Sequence, residues 1–134
     1  MKVAFKTVTT IAFFIVVPPA IGQQASNNVL QLMKSTVVPA SDTVFAVGKR
    51  APDTPQEWGA VENGAARLID AAKSLAAQPP PAAGGNWEKY SKAMSDGAST
   101  ALKAAQARNV DAVLDAGDVL YTSCEDCHRQ YMKN

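Results

Sequence analysis

Apolar residues recur along this chain in alternating steps of three and four, in four separate runs. That period fits helices and little else. The first run is Leu30, Met33, Val37, Ala40, Val44 and Val47, and the second is Trp58, Val61, Ala65, Leu68, Ala72 and Leu75. The third is Trp87, Tyr90, Met94, Gly97, Ala101 and Ala105; the fourth is Val110, Val113, Gly117, Leu120, Cys124, Cys127 and Tyr131. Such steps keep side chains on one stripe of a helix with about 3.6 residues per turn. No segment alternates in steps of two with β-branched residues, so strands are not expected. Alanine, the best helix former, occurs 24 times.

Punctuation residues set the expected boundaries. The first helix runs from about Ser26 to Val47, and Pro39 interrupts it by removing a backbone donor, so a kink or break is expected there. The second helix opens on Thr54 as N-cap, Pro55 at the first helical position and Glu57 completing a capping box. Gln78 to Gly85 (QPPPAAGG) cannot continue a helix. Asn86 is the expected N-cap of the third helix, and Asn109 closes it and caps the fourth. Four helices with short connections predict an all-α fold, an antiparallel up-down-up-down four-helix bundle. In that topology the start of the first and third helices and the end of the second and fourth share one end. Leu30, Met33, Leu68, Ala72, Trp87, Tyr90 and Met94 then lie near the level of Cys124 to His128.

The first 22 residues read as an address rather than as fold. Lys2 and Lys6 precede an apolar run from Val8 to Val17, and Ala20-Ile21-Gly22 offers small residues where a signal peptidase cuts. Pro18-Pro19 ends the run well short of the roughly 20 apolar residues that a spanning helix needs. A secretory signal peptide over residues 1–22, cleaved near Gly22, leaves residues 23–134 as the mature domain. The destination is a periplasm, where thiols tend to be oxidised, with no stable membrane insertion after cleavage. The whole chain has a formal charge of +1. Removing Lys2 and Lys6 from 13 basic residues leaves 11 against 12 acidic ones. So near-neutral a chain gives no reason to expect nucleic acid or an anionic membrane as partner. Lys89, Lys92, Lys103 and Lys133 are interspersed with acidic residues and read as solvated faces rather than a docking patch.

Two cysteines and one histidine exclude a self-contained Cys₄ or Cys₂His₂ zinc site and a disulfide scaffold. All three fall within Cys124-Glu125-Asp126-Cys127-His128, and C-x-x-C-H is the attachment signature of c-type haem. Two cysteine sulfurs form thioethers with the haem vinyl groups, and the adjacent imidazole reaches the iron as proximal ligand. On a helix Cys124 and His128 stand one above the other. A redox-active C-x-x-C belongs at the start of a helix beside a βαβ unit, whereas this one closes a strandless chain. One covalent haem c per chain is the expected cofactor.

With that motif in its last helix, the chain resembles the class II cytochromes c, the family of cytochrome c′ and its low-spin relatives. The likeness spans the mature chain by architecture and Cys124 to Tyr131 (CEDCHRQY) by motif; Ala116-Gly117-Asp118 adds to it. Class I cytochromes c carry the same motif near the N-terminus. Where cytochrome c′ proteins often have Arg, four residues after the histidine, this chain has Met132, flanked by Arg129 and Lys133. The resemblance therefore does not extend to an Arg-controlled proximal gas site. It implies single-electron transfer between periplasmic redox proteins and no enzymatic activity, since a peroxidase-like site would want a distal His or Arg. It also implies a homodimer through the first two helices, for which Val29, Leu32 and Thr36 offer a modest second face.

The remaining question is the side of the iron away from His128. No second histidine exists, Met1 leaves with the signal, and Met132 sits on the same helix as His128. Met33 and Met94 remain, along with a vacant or water-bound iron. In low-spin relatives a Met of the first helix fills this place, and Leu32-Met33-Lys34 looks like that segment, so Met33 is the first choice as distal ligand. A Met/His pair suits electron transfer. The alternative is a five-coordinate haem that binds small gases such as NO or CO, with Leu30 as the apolar distal residue. Tyr90 and Tyr121 are expected in the haem pocket, with Trp58 and Trp87 as packing residues. Ala65, Ala72, Ala98 and Ala101 are expected to leave room for the ring.

Overall fold

The computed structural model describes residues 21–80 and 83–132, with side chains from residue 26 onward. The expected signal segment lies almost wholly outside the described residues. Every element among the described residues is helical. They are α1 (Ile21–Leu32), a π-helical turn (Met33–Val37), α2 (Val38–Phe45), a 3₁₀ turn (Ala46–Gly48), α3 (Pro55–Ala77), α4 (Asn86–Gln106) and α5 (Val110–Tyr131). The first four follow without interruption and form one rod. This rod, α3, α4 and α5 are the four packed helices.

Pro39 neither breaks nor ends that rod. It has no N–H to give to the carbonyl of Ser35, and its ring crowds that carbonyl. The chain widens one turn instead: the N–H of Val38 donates to the carbonyl of Met33, five residues back. The α-helical pattern then resumes through Val44 and Val47, both buried.

The caps follow local chemistry with one exception. Thr54 accepts from the N–H of Glu57 while the Glu57 carboxylate accepts from the N–H of Thr54, a complete capping box with Pro55 inside it. Asn109 caps α5 by accepting from the N–H of Ala112. Asn86 is not a cap. It is the first residue of α4, Gly85 holds the cap position, and the Asn86 amide donates to Gln130 on α5 at 3.2 Å. That long-range partner outcompetes the local cap. At the end of α4, Arg108 turns left-handed at φ 52°, and the N–H groups of Arg108 and Asn109 reach back to Ala105 and Ala104. This paired closure satisfies two carbonyls that the helix end would leave open.

The core contains most of the four stripes. From α3 it takes Trp58, Val61, Ala65, Leu68, Ala72 and Leu75, and from α4 and α5 Met94, Ala98, Ala101, Val113 and Leu120. Small residues sit where helices come closest. A Cβ on Gly64 would lie 2.9 Å from the carbonyl oxygen of Ala40, and one on Gly97 would lie 3.3 Å from Cα of Leu120. Ala65, Ala72, Ala98 and Ala101 belong to this packing and do not line the cleft described below. Trp87, near the start of α4, donates its indole N–H to the carbonyl of Leu75 near the end of α3, at 2.6 Å. Its ring meets Tyr131, the last residue of α5, edge to face at 5.1 Å.

Candidate functional site

Cys124 and Cys127 lie one turn apart near the end of α5, with His128 beside them. Their stripe begins at Val113 and Leu120, which are buried, and comes gradually to the surface. Both thiols are half-buried and free, and His128 is exposed. The imidazole takes no hydrogen bond or ion pair among the described residues. Arg129 engages Asp126 at 3.0 Å and Glu125 at 4.0 Å.

These three side chains line one cleft of about 330 Å³, a size at the lower end of small-molecule sites. Its other walls come from the first rod, the last turn of α3 and the first two turns of α4. Met33, Phe45, Trp87, Tyr90, Met94 and Tyr121 are among its apolar lining residues. Ser91 and Ser123 also line it, but each hydroxyl is spent on a backbone carbonyl of its own helix, Trp87 and Leu120 respectively. The cleft is therefore mostly apolar, with two thiols, one imidazole, two thioethers and the Glu125 carboxylate as its soft or metal-ligating groups. Among the described residues no three His, Cys, Asp or Glu side chains converge as a metal centre.

Burial pushes both thiols up from their ordinary pKa; for Cys127 the proximity of Cys124 adds to the effect. The C-terminal end of a helix, where carbonyl dipoles point outward, also disfavours a thiolate. These are protonated thiols at neutral pH, unlike the depressed-pKa cysteines of thiol oxidoreductases.

Of the residues picked out in the sequence, the cleft brings together Cys124, Cys127, His128, Met33, Tyr90 and Tyr121. It does not include Leu30, which is 53% exposed. Met94 is almost fully buried at 5% exposure, while Met33 is half-buried at the wall. Tyr121 is 56% exposed and packs edge to face on Phe45 at 6.3 Å. Phe45 and Val38 were not anticipated. With Ser41 they sit at steps of three and four on a second face of α2, beside the buried stripe, and that spacing was the available signal. No family model, curated protein or solved structure matches the chain.

Proposed function

We propose that the protein is an exported monohaem c-type cytochrome of the four-helix-bundle kind, carrying single electrons between periplasmic redox proteins. Cys124 and Cys127 hold the haem covalently, His128 is the proximal ligand and Met33 the distal one. The observation that carries this reading is the shared cleft: two thiols at i and i+3, the adjacent imidazole and a thioether from another helix line one apolar space.

The residues fit the group. The thiols are half-buried yet open to the cleft, the imidazole is committed to no other partner, and no buried side-chain N or O among the described residues lacks a hydrogen bond. The apolar walls keep water from a macrocycle and favour its burial. When bound, a haem supplies a reversible one-electron change at iron. The chain's part is to hold it rigidly. His128 is anchored on the same helix as both thioether sulfurs, and Met33 offers a soft neutral ligand that favours the reduced metal.

An up-down-up-down order of the four helices fits the cross-helix contacts. The end of α3 meets the start of α4 through Leu75 and Trp87, and the start of α4 meets the end of α5 through Trp87 and Tyr131. Export follows from the N-terminal pattern. Among the described residues no helix is long and apolar enough to cross a membrane.

The ferric optical spectrum of the purified protein tests the reading. A low-spin spectrum that Met33→Ala converts to high-spin is the expected result, together with haem that stays with the chain after denaturation. A high-spin wild type would move the assignment to a gas-binding, five-coordinate haem. Haem lost on denaturation would remove the covalent assignment of Cys124 and Cys127.

A further inference from the structure

The π turn offsets the first rod by one residue, and that offset decides which side chain enters the cleft. On its C-terminal side Val37, Ala40, Val44 and Val47 are buried in steps of three and four. Continued backward through a regular helix, the same steps would turn Met33 and Leu30 inward. Val29 and Leu32 take that inward stripe instead, while Met33 packs at the wall of the cleft and Leu30 is exposed. An extra residue in a turn rotates everything before it by about 100°.

The direction of that rotation follows from the neighbours of α2. Ala40 and Thr43 abut Gly64 of α3, whereas Val38, Ser41 and Phe45 line the cleft. In a regular helix Met33 would fall in line with Ala40, on the α3 side. One residue of offset brings it in line with Val38 and Phe45, on the cleft side; Leu30, a turn earlier on the same face, does not line the cleft and is exposed. Single π turns inside α-helices recur at functional sites. Here the cause is local and exposed: a proline with no N–H for Ser35.

We propose that Pro39 is a positioning residue: the π turn it forces turns Met33, in place of Lys34, into the cleft that holds Cys124, Cys127 and His128. A thioether is thereby selected over the Lys34 ammonium as the side chain facing that cleft. The consequence at iron rests on the haem reading above; the register does not.

Pro39→Ala and Pro39→Ser each restore the missing N–H, and Pro39 is exposed, so neither removes a core contact. Crystal structures of the full chains are expected to show a regular helix, with Met33 and Leu30 turned toward α3 and Lys34 in line with the cleft. The ferric spectrum is expected to pass from low-spin to high-spin with loss of the sulfur-to-iron band, as in Met33→Ala. A folded variant that keeps the π turn and Met33 in the cleft overturns the proposal, whatever its spectrum. If the register shifts as stated but wild type itself is high-spin or haem-free, the haem reading fails and the role of Pro39 in register is upheld.

Discussion

A methyl group at residue 64 would collide with the protein's own backbone. The Ala40 carbonyl stands 2.9 Å from where that Cβ would be, and Thr43 Cβ stands 3.2 Å away. Gly59, on the same helix, has nothing within 4 Å of its Cβ position. The two positions separate propensity from packing. Gly59→Ala should raise stability by up to about 1 kcal/mol, the helix-propensity difference. Gly64→Ala gains the same propensity but must push two helices apart, at a cost of about 1–3 kcal/mol. We expect a net loss, read as a lower urea midpoint beside the raised midpoint of Gly59→Ala. Equal gains at both sites would refute the close approach of α2 and α3. At this scale the sequence was legible wherever chemistry is local. Cys124, Cys127 and His128 announce themselves by spacing, and Thr54, Glu57 and Asn109 by capping. Leu30 and Asn86 were misjudged because their surroundings depend on distant residues. A proline nine positions away rotates Leu30 outward, and Gln130 on another helix captures the Asn86 amide.

Among the elements, α3 has the best-built start. Arg50 bonds Glu57 across the connection and also meets Asp53 at 3.1 Å, while the N–H groups of Asp53 and Thr54 donate to the same Glu57 carboxylate. The Arg50 guanidinium and then those two N–H donors bring the Glu57 carboxyl from its ordinary 4.5 down to about 2. A depressed carboxyl stabilises the fold above its unfolded pKa. Between pH 4.5 and 2 the unfolded chain binds a proton that the folded chain does not, so stability falls with pH across that window. Glu57→Gln removes this titration. Its melting temperature should be lower than wild type at neutral pH, with the difference shrinking as pH falls from 4.5 to 2. Added salt should shrink it as well, because the group is partly exposed. A difference that stays constant across the window would show that Glu57 is not tied to the start of α3 in solution. The capping box was readable four residues at a time. The π turn was not, because the pattern of apolar residues extends unbroken across it and Pro39 signals only that a hydrogen bond is lost. Whether the chain answers with a kink, a break or a wider turn depends on what the rod packs against.

For the whole molecule, the end nearest the cleft is closed by one small aromatic assembly. Trp87 donates to the Leu75 carbonyl, Tyr131 donates to the Ala83 carbonyl, and the two rings meet edge to face. Tyr131 also packs on Tyr90, which lines the cleft. The end of α3, the start of α4 with the loop before it, and the end of α5 are thus held by two hydrogen bonds that share a ring contact. Trp87 and Tyr90 were legible as packing residues and Tyr131 as a stripe position, but the acceptors were not, since backbone carbonyls at helix ends and loops carry no pattern. Trp87→Phe and Tyr131→Phe each keep a ring and remove one donor; the Leu75 carbonyl keeps the N–H of Gln78, at a cost of about 0.5–1.5 kcal/mol, whereas the Ala83 carbonyl is left unpaired at about 1–3 kcal/mol. If the two bonds act as one closure, losing either slackens the other. The double variant should then cost less than the sum of the singles, by roughly 0.5 kcal/mol or more. Urea unfolding of the four proteins measures that difference. Strict additivity would mean that the loop end and the helix end are secured independently, and that the cleft's floor is built from separate parts.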